Sequence, residues 1–207
     1  MTFRSEVDDP HARLFCFPHA GGGAQAYRDW GSKLPSVQVQ AINLPGRGSR
    51  QLEEPVADLG VLVRSIVGAI RHQLTLPYAF FGHSWGSIVA YEVLRELQRQ
   101  GLPQPLVLFA SSHKAPQTGG VPESAWTHHL DDDRFVDVAR RYGLVPEESL
   151  GQPELLELML PAFKADMRMH ERYKHSSVGG QLRCPVVAYG GAADAGVGIT
   201  DILAWKT

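Results

Sequence analysis

Gly82-His83-Ser84-Trp85-Gly86 has the pattern Gly-x-Ser-x-Gly. A serine centred between two glycines is the residue set of a nucleophile elbow, a sharp strand-to-helix turn that lifts the hydroxyl clear of the sheet. Alone the pattern is weak and arises by chance in roughly one of eight chains of this composition. Its setting strengthens it. The apolar run from Tyr78 to Phe81 precedes it, and a helical pattern from Ser87 to Gln100 follows. Ser84 would then stand at a strand tip and a helix start, where the positive helix end stabilises developing negative charge. The rival reading is an ordinary glycine-rich turn between a strand and a helix.

Acyl transfer also needs two backbone N–H groups aimed at the oxyanion. One comes from the residue after the nucleophile, here Trp85. The other comes from the loop after an adjacent strand. Phe17-Pro18-His19-Ala20-Gly21-Gly22-Gly23 is such a loop, and Ala20 is the expected donor. A phosphate cradle is set aside, because no Lys-Ser/Thr follows and the spacing is not Gly-x-Gly-x-x-Gly.

The elements that must hold these residues alternate along the chain. Arg13–Phe17, Val37–Leu44, Tyr78–Phe81, Leu106–Ala110 and Pro185–Tyr189 read as strands. Val56, Leu59, Leu62, Val63, Ile66, Val67, Ile70 and Leu74 recur at helical spacing, with Asp58 in the first turn. The helix after the serine ends at Gly101. Strand and helix in alternation predict a parallel sheet with helices on both faces. From about 115 to 177 no strand is expected. Phe135, Val138, Ala139 and Tyr142 share a helical face closed by Gly143. A second stripe, Leu155, Leu156, Met159 and Leu160, is interrupted at Pro161 and continues through Phe163, Met167, His170 and Tyr173. The expectation is one domain, with a core at about 12–114 and 178–207 and a helical lid at about 115–177.

Composition limits the function. The 207 residues hold 20 Lys plus Arg and 22 Asp plus Glu, a net charge of −2, which does not suit a nucleic-acid binder. No apolar run is long enough to cross a bilayer. The start of the chain, Met1 to Pro10, is polar and acidic, unlike a secretory signal. Cys16 and Cys184 are the two cysteines, which fits a reduced, cytoplasmic protein; Cys16 reads as a small buried hydrophobe. Asp131-Asp132-Asp133 could suggest a metal cluster but reads as a helix N-cap and first turn.

The chain resembles type II thioesterases of the α/β-hydrolase superfamily, the stand-alone editing enzymes of polyketide and nonribosomal peptide synthesis. The matching stretches include Phe15-Cys16-Phe17-Pro18-His19-Ala20-Gly21-Gly22, Leu44-Pro45-Gly46-Arg47-Gly48-Ser49-Arg50 and Pro77 to Gly86. Further ones are Leu108 to Ser112, Leu155 to Leu158, Leu160-Pro161, Ala165-Asp166 and Cys184-Pro185-Val186. The resemblance implies hydrolysis of acyl groups from the phosphopantetheine arm of an acyl or peptidyl carrier protein, by a monomer with no metal or cofactor. Trp85 departs from the family's usual Met and changes one pocket wall. The lid would form the acyl channel, with Phe135, Met159, Phe163, Met167 and Tyr173 as lining candidates or as packing. Arg47 and Arg50 would either meet the carrier's acidic helix or phosphate, or brace their own loop. Arg140 and Arg141 read as a solvated face.

A serine nucleophile needs a histidine base and a carboxylate to orient it. Asp194, in Gly190-Gly191-Ala192-Ala193-Asp194 after the fifth strand, stands at the family's acid position; its alternative is an Asx-turn. The base is missing from its expected place. His11, His19, His72, His83, His113, His128, His129, His170 and His175 all precede Asp194. Of these, His19 and His113 are expected near the active end of the sheet, His83 points into the elbow, and His128 and His129 sit in the lid. The family's last helix, strand and histidine loop would need roughly 30 more residues. The chain therefore reads as C-terminally truncated, with its fifth strand an exposed edge. Three functions compete: the thioesterase, a catalytically silent remnant that binds a carrier, and an α/β-hydrolase acting on small esters.

Overall fold

The structure is a computed structural model that describes residues 2–141, 145, 151–194 and 196–206. Its sheet contains β1 (Thr2–Arg4), β2 (Ala12–Phe17), β3 (Val37–Ile42), β4 (Tyr78–His83), β5 (Leu108–Ser111) and β6 (Val186–Tyr189). The strand order is β1-β3-β2-β4-β5-β6. β1 runs antiparallel to β3, and the other five strands are parallel. The short β1 has no apolar run in the sequence to announce it. β2 and β4 lie at the centre with Cys16 opposite Phe81 and Phe17 opposite Gly82, so the first loop and the elbow leave the sheet side by side.

Strand alternation divides the core. Phe15, Phe17, Tyr78 and Phe80 point to the larger side, and Leu14, Cys16, Val39 and Ala41 to the smaller. The larger side is covered by α2 (Leu59–Ile70) and α3 (Trp85–Arg99). The smaller side is covered by α1 (Trp30–Lys33) and the turn at Tyr27, whose rings pack on Phe81. Helices thus lie on both faces, but unequally. Burial pushes the Cys16 thiol up, so it stays protonated as an inert core residue.

α2 starts one residue after Asp58, whose carboxylate accepts from Val61 N at 2.8 Å. Asp58 is therefore the N-cap rather than a first-turn residue, and Val56 lies before the helix. α3 starts at Trp85, inside the Gly-x-Ser-x-Gly motif, two residues earlier than the apolar pattern suggests. It ends where Gly101 takes φ +65°, with Leu102 N closing onto Leu97 O at 2.9 Å.

Between β5 and β6 the described residues form α4 (Asp132–Arg141) and α5 (Pro153–Arg172) and no strand. Tyr142 and Gly143 lie outside the described residues. Asp131 accepts from Arg134 N at 3.0 Å, so the aspartate run does cap α4. α5 runs unbroken through Pro161, against the interruption read from the sequence. A mid-helix proline costs about 3 kcal/mol. The adjoining Leu160, Ala162 and Phe163 are all buried against the core, and that packing outweighs the cost. Gln51 Nε2 also donates to Leu158 O at 2.7 Å beside the proline. After β6 comes α6 (Ile199–Leu203), followed by a turn that buries Trp205 against Tyr91. None of the described helices is long and apolar enough to cross a membrane.

Candidate active site

Ser84 is the N-cap of α3 with φ 52° and ψ −128°, a backbone state that costs a side-chain-bearing residue about 1–3 kcal/mol. Its neighbours hold it there. Ser84 N donates to Ser111 O at 2.7 Å. The wholly buried Ser87 donates its hydroxyl to Gly82 O at 2.9 Å and accepts from Ser111 N at 3.2 Å. The glycines are required by close approach. A Cβ on Gly82 would lie 2.5 Å from Gly86 O, and one on Gly86 would lie 2.2 Å from Phe17 O. The second contact means that the loop after β2 lies directly on the start of α3. This is the strand-elbow-helix geometry that the motif alone could not guarantee.

The same loop is anchored from above. Gly21 N donates to Asp166 Oδ2 at 2.8 Å, and Asp166 lies on α5. Arg47 grips Asp166 with both arms, Nη1 to Oδ2 at 2.5 Å and Nη2 to Oδ1 at 3.1 Å, and its Nη1 reaches Gly22 O at 3.1 Å. Arg47 and Asp166 are 6% and 1% exposed, so the pair is a buried, bidentate brace. Arg50 pairs with Glu53 and Asn43 O. Both arginines therefore brace their surroundings. Ala20 is buried in the held loop, and Trp85, as the first helical residue, has an N–H with no intrahelical acceptor.

Asp194 follows β6 and is half-buried. Its Oδ1 accepts from Gly196 N at 2.9 Å and Val197 N at 3.2 Å, which is an Asx-turn. It is also close enough to His83 to favour that ring's charged form, although burial dominates and pushes His83 down. His83 Nδ1 pairs with Ser111 Oγ at 3.1 Å, turned into the elbow, and its ring meets His19 edge-on at 6.0 Å. Burial also pushes His19 down.

His113, His170, His128 and His175 are engaged elsewhere. His113 Nε2 lies 3.1 Å from His170 Nε2, His113 Nδ1 lies 2.7 Å from Lys114 O, and Trp205 Nε1 donates to His113 O at 2.8 Å. Burial pushes His113 down and His170 down to about 4, so both rings are neutral at pH 7. The His170 ring packs 5.3 Å from Trp85. His128 pairs with Glu171, and His175 with Tyr91. Among the described residues, no side chain hydrogen-bonds Ser84 Oγ and no imidazole hydrogen-bonds Asp194. Ser84 and Trp85 thus stand at the end of β4, beside the loop after β2 that carries Ala20.

Phe135 and Phe163 meet edge to face at 5.0 Å inside the core, and Tyr173 donates to Glu92 at 2.7 Å. These three side chains pack in or against the core. Met159 and Met167 are half-buried.

The thioesterase-domain family profile matches residues 12–201. The chain belongs to the thioesterase family. This thioesterase is 34% identical over 218 residues to the gramicidin S biosynthesis protein of Aneurinibacillus migulanus, covering 100% of this chain and 84% of that one. The solved thioesterase of the prodiginine pathway in Streptomyces coelicolor superposes with a TM-score of 0.85 at 34% identity, covering 98% of this chain and 76% of that one. A type II thioesterase of the yersiniabactin NRPS/PKS pathway superposes with a TM-score of 0.85 at 27% identity, covering 100% and 84%. By family it is a type II thioesterase, and the family's members are hydrolases acting on thioesters.

Sequence reasoning gave no role to Ser87, Asp166, Glu171 or Trp205. The first two carried a readable signal, since each is a polar residue inside an apolar helical stripe. Ser87 shares its face with Ala90, Tyr91 and Leu94, and Asp166 lies between Phe163 and Met169. Glu171 accepts from Thr127 N, Thr127 Oγ1, His128 N and His128 Nδ1, tying the segment before α4 to α5.

Proposed function

We propose that this thioesterase releases acyl groups from the phosphopantetheine arm of an acyl or peptidyl carrier protein, with Ser84 as nucleophile. Ser84 Oγ adds to the thioester carbonyl carbon, and the N–H groups of Ala20 and Trp85 receive the oxyanion. The C–S bond breaks, the thiol leaves with a proton, and water then frees the carboxylic acid and restores the serine. No described imidazole reaches Ser84, so its proton passes to water and the departing thiolate takes one from water; Asp194 is the carboxylate that would orient a base there. The observation that carries the reading is Ser84 at φ 52° on the tip of β4, with the Phe17–Gly22 loop pressed against Gly86. The protein works as a cytoplasmic monomer, with about 115–177 as its lid and no metal or soluble cofactor.

A second reading is favoured by one observation: no described imidazole reaches Ser84. In it the chain holds an acylated carrier without turning it over. The test is thiol release from an acyl-loaded carrier protein, compared with hydrolysis of a free small ester. Faster release from the carrier is expected. Binding without release selects the second reading, and preference for the free ester overturns both.

A further inference from the structure

A cleft of about 1080 Å³ opens where α2, α3 and the end of α5 converge, walled by the segment after α5. Its lining holds seven cations and three carboxylates, on a chain whose net charge is −2. The three carboxylates are already occupied. Asp58 caps α2. Glu92 holds Arg95 and the Tyr173 hydroxyl, and Glu96 holds Arg99 and Gln100. Arg64, Arg168, Arg172, Lys174 and Arg183 remain, all exposed, and none forms an ion pair among the described residues.

This arrangement costs stability locally. Arg168 and Arg172 stand four residues apart on one helix, where like charges repel. The wall that carries Arg183 is tied down, since Arg95 donates to Val178 O and Gln98 Nε2 donates to Gly179 O at 3.3 Å and Gln181 O at 3.1 Å. Arg172 is also set over the Trp126 ring at 5.5 Å. The five cations thus ring a shaped groove rather than being strewn over a convex surface.

We propose that this cleft is a second, non-catalytic docking surface for an acidic helical face of a partner protein. Charge complementarity selects that occupant. The rest of the molecule carries a net negative charge and repels an acidic partner, so attraction is focused on the groove. Four of the five cations outside ion pairs are arginines, which pair carboxylates in a bidentate fork and are enriched at protein interfaces. The groove runs along α3 away from Ser84, with the Tyr173 ring at its near end 6.3 Å from the Trp85 ring. Ser84 caps the start of α3, and Glu92 to Arg99 lie eight or more residues along it, about 12 Å or more at 1.5 Å per residue. A partner held there leaves Ser84 open and raises the effective concentration of any thioester that the partner carries.

The test is fluorescence anisotropy with a fluorescein-labelled amphipathic peptide bearing glutamates along one helical face, at 50 mM salt and above. The cleft variant is Arg168→Ala/Arg172→Ala/Lys174→Ala. The control, Arg28→Ala/Lys33→Ala/Arg71→Ala, removes the same charge from exposed sites elsewhere. Binding is expected to weaken at least ten-fold in the cleft variant and less than two-fold in the control, and to fade as salt is raised. Equal weakening in both variants, or no binding at low salt, would overturn the proposal. So would displacement of the peptide by pyrophosphate at equal charge concentration, which means a small-anion site, or tighter binding of a single-stranded oligonucleotide. The readout needs no turnover, so its failure is separate from failure of the hydrolase reading.

Discussion

Ser84 is held in a left-handed conformation by neighbours that leave no room for a single added methyl. Gly86 is the tightest point, since its Cβ would fall 2.2 Å from Phe17 O. Gly86→Ala must push the loop after β2, the proposed oxyanion loop, away from Ser84. Displacements near 1 Å cost catalysis about a hundred-fold, so thiol release should fall by about that factor while an acylated carrier still binds. Unchanged release would mean that the loop has no part in the reaction. The Gly-x-Ser-x-Gly pattern announced this site, but the glycines' partners were not legible. Both contact backbone atoms on other elements, and sequence spacing carries no such information. Asp194 was legible only through resemblance, because the same residue type in the same turn serves equally as an Asx-turn, which is the bonding it has.

α5 ties together the segment before α4, the loop after β2 and the start of α3. It carries Asp166 to the loop after β2, Glu171 to the segment before α4, and His170 to the ring of Trp85. Removing one partner of a buried ion pair costs about 3–5 kcal/mol, because the other charge stays buried alone. Asp166→Asn leaves Arg47 in that position. Urea unfolding should show a loss of that order, and release from an acylated carrier should fall with it. A loss below about 1 kcal/mol would mean that Arg47 finds water and that the brace contributes little. The sequence displayed the apolar stripes of α4 and α5 clearly. It misled at Pro161, because the local cost of proline is visible in the chain and the burial of Leu160, Ala162 and Phe163 that outweighs it is not. β1 was invisible for the related reason that a three-residue edge strand needs a partner more than a pattern.

Two packed histidines, His113 and His170, tie the stability of the whole molecule to pH. His170 is pushed down to about 4, below its ordinary value of about 6.5. Its neutral form is the one the fold favours. Its contribution to stability is therefore complete above pH 6.5 and is lost as pH falls from there toward 4, by up to about 1.4 kcal/mol per pH unit. His170→Gln can still bond His113 and should flatten that acid slope in urea titrations between pH 6.5 and 4. The slope does not vanish, because His113 is pushed down as well. An unchanged slope would show that His170 is protonated in the fold. The alternation of strands and helices made the parallel sheet legible as a whole. The division into a large and a small core was not, because it depends on which face each helix crosses.

The account rests on Ser84 as the attacking group. The most direct measurement is thiol release from an acyl-phosphopantetheine carrier protein by the wild-type chain and by Ser84→Ala under identical conditions. The account predicts that release by the wild type exceeds the roughly 10³–10⁴-fold over water that oxyanion stabilisation and binding sustain without a nucleophile, and that release by Ser84→Ala falls to that residual level. Equal release by both proteins would contradict it.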